Sequence, residues 1–114
     1  MNKKEYLEYH QACCERMTAI TRSKNSDYTG ITDDPFANFS RVEVMGVTDT
    51  NRGFLVRMLD KFSRITSFVQ KGVLEVKDES VEDTLLDLAN YCILMAANIK
   101  SQKANASGSC PEES

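Results

Sequence analysis

KDESVEDTLLDLANY, residues 77–91, sets several carboxylates and an amide at helical spacing on a segment that is otherwise apolar. Advancing ~100° per residue from Asp83, Glu79 falls near roughly −40°, Asp87 near 40° and Asn90 near −20°, with Val81, Leu85, Leu88, Cys92, Met95 and Ile99 gathered opposite. The segment therefore predicts an amphipathic helix with one acidic face and one apolar face. Asp78 or Ser80 is placed to cap it, and Glu79, Glu82 and Asp83 sit in its first turn, where the positive end of the helix dipole favours them. The helix is expected to reach Lys103. Carboxylates close to a core need a counterpart, and the candidates are a basic helix, a metal or a phosphate.

The preceding segment supplies a basic row. Between about Asn51 and Lys71, Leu55, Met58, Leu59, Phe62, Ile65 and Val69 recur as a predicted core stripe, while Arg57, Lys61 and Arg64 line a second face. Phe54 and Phe68 lie near the ends of that row. Asp49 or Thr50 is the candidate N-cap, and Gly72 stands where a left-handed C-terminal cap belongs. The short connection from Gly72 to Lys77 makes the two helices antiparallel neighbours. Farther toward the N-terminus, Asp34-Pro35 predicts the start of a short helix that runs to Met45 and stops at Gly46. Tyr6, Tyr9, Cys13, Met17 and Ile20 mark a first helix over Lys3 to Arg22, with its tyrosines in the core. Residues 23–35, SKNSDYTGITDDP, read as a loop rich in turn formers. Only Val73 to Lys77 hints at extended structure.

The fold class is all-α: a small bundle of three longer helices and one short one. A single domain is expected over residues 1–103, followed by a disordered tail over 104–114 that has little to bury. The chain has 114 residues, 41% apolar and 27% charged, with a net charge of −3, which argues against general nucleic-acid or membrane-surface binding. No apolar run reaches spanning length. Cys13, Cys14, Cys92 and Cys110 form no CxxC pair and follow no signal-peptide pattern, so a reduced, cytoplasmic setting is expected. His10 is the single histidine, which leaves zinc a poor fit. Apolar flanks on the first and fourth helices predict a homo-oligomer.

Two arrangements satisfy the acidic and basic rows. In one they neutralise each other as ion pairs between helices, with Asp60 joining Arg57 and Arg64. In the other they line a pocket, where carboxylates hold a divalent cation and the basic side chains bind phosphate oxygens. Glu79, Glu82, Asp83 and Asp87 supply the one-turn oxygen spacing that magnesium chemistry on nucleotides uses, and Asp83 and Asp87 fit it best. Glu82 falls in the apolar arc and is expected to point outward.

KNSDY at 24–28, FANF at 36–39, LVRMLDKFSRI at 55–65 and KDESVEDTLLDLANY at 77–91 together resemble the nucleotide-modification-associated domain family of phages and prophages. That family is in turn similar to the all-α MazG-like and dimeric dUTPase pyrophosphohydrolases. The resemblance implies a nucleotide or nucleotide-derived ligand, a viral protein in the host cytoplasm, and Mg²⁺ held by Asp83, Asp87 and Glu79. It also implies a polar role for Asn90 and phosphate contacts from Arg57, Lys61 and Arg64; Lys24, Asp27 and Tyr28 either lie on a loop over the site, with Lys24 on phosphate and Tyr28 stacked on the base, or form a turn in which Asp27 caps locally and Tyr28 plugs the bundle. The related enzymes carry EExxE on the helix that here reads RMLDKFSR, where Asp60 is the sole carboxylate. A basic helix in that position leaves three functions open: a Mg-dependent nucleotide phosphohydrolase, a viral sponge that sequesters a nucleotide or cyclic-nucleotide immune signal without turning it over, or a structural oligomer whose charged rows are only ion pairs.

Overall fold

A computed structural model of the chain describes residues 1–28, 34–73 and 80–107, and of residues 25–28 and 106–107 the backbone alone. Four helices follow in order: α1 Lys3–Tyr28, α2 Ala37–Val44, α3 Thr50–Lys71 and α4 Val81–Ser107. Three are long and one is short, as the periodicity predicts. None of the described helices is long and apolar enough to cross a membrane.

The boundaries follow from local chemistry. At the start of α2, Asp34 Oδ1 accepts the Phe36 N–H at 2.9 Å and the Asp34 carbonyl accepts the Ala37 N–H at 3.3 Å, so Asp34 to Phe36 form a turn and the helix proper begins at Ala37. At its end Gly46 adopts φ +76°, with Gly46 N–H on the Glu43 carbonyl at 3.0 Å and Val47 N–H on the Val42 carbonyl at 2.8 Å. This is the Schellman pair of bonds, which ends a helix with its last carbonyls satisfied. Asp49 caps α3 by accepting the Arg52 N–H at 2.8 Å, and Gly72 closes it at φ +80° with its N–H on the Phe68 carbonyl at 2.7 Å. Ser80 caps α4: its hydroxyl accepts the Asp83 N–H at 3.1 Å, and Asp83 answers by accepting the Ser80 N–H at 3.5 Å; Asp78 lies outside the described residues. That reciprocal pair is a capping box closed by Asp.

Two further predicted boundaries move. Helix α1 continues through Tyr28 instead of ending at Arg22, so Ser23 to Tyr28 are helical and not loop. Once a helix is under way, Ser, Asn and Asp each cost only about 0.7 kcal/mol or less relative to Ala, and no glycine or proline occurs before Gly30. For the same reason α4 passes Lys103 and takes in residues 104–107, the start of the predicted tail. The rest of that tail and nearly all of the Val73 to Lys77 stretch lie outside the described residues.

α3 and α4 form the antiparallel pair that the short connection predicts. The Asn98 side-chain amide donates to Asn51 Oδ1 at 3.2 Å, and Asn51 Nδ2 donates to Gln102 Oε1 at 3.4 Å, tying the start of α3 to the end of α4. Helix α2 lies on α3. A Cβ added at Gly53 would stand 3.0 Å from the Val42 methyl, which would have to give by a few tenths of an ångström to admit it. Glu43 Oε1 accepts both the backbone N–H and the hydroxyl of Thr50 at 2.9 Å, placing a carboxylate at the positive end of α3. Helix α1 runs along α4.

The packing faces differ from those predicted. Among the described residues the buried apolar side chains are Phe39 and Phe54, joined by Thr50, Thr84 and Asn98. The predicted α3 core stripe is turned outward at Leu55, Leu59, Phe62 and Val69, and only Met58 and Ile65 are half-buried. On α1, Tyr6 and Tyr9 are exposed, while Cys13, Met17 and Ile20 are half-buried against the bundle. Periodicity identifies residues that share a face. It does not say which face meets a neighbour in the same chain.

The N-cap of α3 gives a pH prediction. The Arg52 N–H bonded to Asp49, and then the Arg52 guanidinium, hold the Asp49 carboxyl below its ordinary range. A carboxyl lowered in the folded state stabilises fully above its unfolded value of about 3.9 and ceases to do so as pH falls through the lower folded value. Helix content followed by circular dichroism should therefore show an acid-side loss that Asp49→Asn, which keeps a capping oxygen, shifts or flattens. An identical acid limb in both proteins would contradict the assignment.

Candidate functional site

A cleft opens where the C-terminal end of α1 meets α2, α3 and α4. Its cavity volume is about 80 Å³, and it is lined by Thr21, Lys24, Pro35, Asn38, Phe39, Arg57, Asp87, Asn90, Tyr91 and Leu94. Each wall has a structural origin. Phe39 from α2 stacks on the fully buried Phe54 with centroids 4.3 Å apart and planes at 18°, and Tyr91 from α4 meets Phe39 edge-on at 5.9 Å. This aromatic cluster is the floor that keeps α2, α3 and α4 in register. Arg57 lies above it, its guanidinium carbon 5.4 Å from the Phe39 ring centroid, a cation–π placement that holds a basic group at the cleft.

The acidic and basic rows do meet. Lys61 Nζ stands 3.3 Å from Asp87 Oδ2, with side-chain exposures of 15% and 27%, so the pair is screened from water far more than a surface bridge. Asp83 is engaged by the Arg16 guanidinium of α1, a partner the sequence did not suggest. Arg64 pairs with Asp60 of its own helix at 3.2 Å, as one of the two arrangements expected, whereas Arg57 turns to Phe39.

The expected site residues thus divide. Lys24, Arg57, Asp87 and Asn90 line the cleft together. Lys61 stands behind Asp87, while Arg64 and Asp83 engage Asp60 and Arg16 and are not among the lining residues. Asp27 and Tyr28 belong to the last turn of α1 and not to a loop, with their side chains outside the described residues. Glu79 lies outside the described residues altogether. Glu82 is exposed, as its position in the apolar arc suggested. Six lining residues went unassigned in sequence: Thr21, Pro35, Asn38, Phe39, Tyr91 and Leu94. Asn38 and Phe39 belong to FANF and Tyr91 ends KDESVEDTLLDLANY, so the signal was present, but uncharged side chains on a short helix carry no spacing that marks a ligand.

As for a metal, no cluster of three acidic, histidine or cysteine side chains stands together among the described residues. An ion at Asp83 and Asp87 would compete with Arg16 and Lys61, so the described donors do not by themselves fit magnesium.

Residues 52–99 match the family model described as Nucleotide modification associated domain 1, the family that the sequence blocks resemble. The match begins at the first turn of α3 and ends in α4, taking in Arg57, Lys61, Asp87, Asn90 and Tyr91. No curated protein matches the chain, and no solved structure does.

Proposed function

We propose that this cleft, half of whose lining comes from the matched α3–α4 segment, binds a nucleotide or a nucleotide-derived small molecule. The observation that carries the proposal is convergence: two cations, Lys24 and Arg57, two amides, Asn38 and Asn90, and the aromatic residues Phe39 and Tyr91 line one opening. Lys24 and Arg57 would take phosphate oxygens, Arg57 through its planar fork of donors. Asn38 and Asn90 present both donors and acceptors, which suits the hydrogen-bonding edge of a base. Tyr91 and Leu94 give that base an apolar wall.

Binding without chemistry is the form that the ion pairs favour. Lys61 on Asp87 and Arg16 on Asp83 leave a net basic opening that neutralises phosphate charge without a metal, as a protein that sequesters a nucleotide or cyclic-nucleotide signal requires. The phosphohydrolase reading keeps one specific support, Asp83 and Asp87 one helical turn apart, with Asp87 at the cleft. On that reading Mg²⁺ would be held by Asp83, Asp87 and Glu79 after Arg16 and Lys61 yield their partners, and would supply charge neutralisation and an activated water. A panel of canonical and modified deoxynucleoside triphosphates with Mg²⁺ or Mn²⁺ separates the two. Sequestration predicts intact nucleotide and no released phosphate or pyrophosphate. Turnover that disappears in Asp87→Asn would establish hydrolysis in its place. In either form the protein acts as an assembly of like chains, a proposal supported by the apolar rows left bare on α3 and α4.

A further inference from the structure

We infer that two copies of the chain associate through one apolar face shared by α3 and α4, on the side of the helix pair opposite the cleft. Seen along α3, the inward direction is set by Phe54, Lys61 and Phe68; advancing ~100° per residue, Leu55, Phe62 and Val69 fall about a quarter-turn to one side, with Leu59 beyond them. On α4 the inward direction is set by Thr84, Tyr91 and Asn98, and Leu85, Leu88, Cys92 and Ile99 fall about a quarter-turn in the same rotational sense. In an antiparallel pair, rotation in the same sense brings both rows to the same side of the layer. Arg57, Asp87 and Leu94 rotate the other way, toward the cleft.

The two rows make one continuous face. Between Leu55 and Val69 its α3 half contains no charged residue, and between Leu85 and Ile99 its α4 half contains none either, in a chain whose overall charged content is 27%. The side chains are open to water in the single chain: Phe62 is 57% exposed, Leu59 64%, Val69 75%, and Leu55 and Leu85 46% each. A surface helix normally places its charges on such a face. Here one charged pair, Lys61–Asp87, is turned inward, and the apolar residues are outside.

A second copy is the occupant that the chain requires. Phe39 and Phe54 are the only buried apolar residues among those described, too small a core to offset the ordering of three long helices. The cover must therefore be present whenever the chain folds, and another copy of the chain always is. Across a two-fold axis the face is complementary to itself, since neither half bears a charge between Leu55 and Val69 or between Leu85 and Ile99 that would repel its counterpart. Two stacked α3–α4 hairpins make a four-helix layer of standard geometry. The face is about 20 Å wide and about 25 Å long, so two copies bury on the order of 1,000 Å² in total, the size at which a specific interface becomes stable.

The inference deepens the assembly part of the proposed function and is independent of the ligand. It is tested on the full chain by sedimentation and by thermal melts at two protein concentrations. The wild type is expected at twice 12.8 kDa or an even multiple of it, with a melting temperature that falls on dilution. Phe62→Glu and Leu85→Glu, one on each half of the face, should each halve the mass or abolish folding. Leu7→Glu, on the exposed flank of α1, should leave the mass unchanged. A wild type of 12.8 kDa whose melting is independent of concentration would overturn both the assembly and the face. Folded Phe62→Glu and Leu85→Glu proteins of unchanged mass, or dissociation by Leu7→Glu, would overturn the face alone.

Discussion

Phe54→Ala is expected to remove most of the stability of the fold and, with it, the cleft. Phe54 is fully buried, stacks on Phe39 at 4.3 Å, and through Phe39 supports Tyr91. Truncating a buried phenylalanine costs about 3–5 kcal/mol, through lost transfer energy and the cavity left behind, and loss of the ring pair adds about 0.5–1.5 kcal/mol. Domains of this kind are stable by only about 5–15 kcal/mol. Among the described residues Phe39 is the one other buried apolar side chain, which leaves little to collapse into the space. Urea unfolding followed by circular dichroism measures the loss. Phe54→Leu, which keeps most of the volume, should retain folding, and a loss below about 1 kcal/mol in Phe54→Ala would mean that the aromatic floor does not organise the bundle.

Arg57→Ala should act on the ligand and hardly at all on the fold. Arg57 is exposed, rests against Phe39, and is one of two cations that line the cleft. Hydrogen bonds that involve a charged partner contribute about 1.5–3 kcal/mol, which corresponds to roughly a tenfold to hundredfold loss of nucleotide affinity. Arg57→Lys should recover only part of it, because an ammonium lacks the planar fork that grips two phosphate oxygens. Calorimetric titration of the wild type and both variants, at low and at physiological salt, provides the measurement. Equal affinities in wild type and Arg57→Ala would remove the phosphate from this end of the cleft.

The sequence carries the helix ends wherever a side chain or a glycine makes the ending. Asp49 and Gly72 bound α3 because a capping carboxylate and a left-handed residue are chemical requirements that can be read one residue at a time. The end of α1 was not legible, because Ser23, Asn25, Ser26 and Asp27 favour turns in isolation yet cost little as the continuation of an existing helix. The acidic and basic rows were correctly placed on facing helices, and Lys61–Asp87 is their contact. The inward turn of those rows was hidden, since the apolar rows beside them look like a core to any count of hydrophobic spacing. Arg16 was hidden for another reason: its contact with Asp83 spans most of the chain, and no local pattern reports it. Of the cleft, the charged and amide residues Lys24, Arg57, Asp87 and Asn90 could be named in advance, and the uncharged Asn38, Phe39 and Tyr91 could not.

The central claim is that the cleft holds a nucleotide, and mass spectrometry of small molecules released from the purified protein by denaturation tests it most directly. The protein would be prepared with and without added Mg²⁺, beside an Arg57→Ala control. The expected result is an intact nucleotide or nucleotide-derived molecule from the wild type under both conditions, and much less of it from the control. Release of no nucleotide from the wild type under either condition, or the same amount from Arg57→Ala, would contradict it.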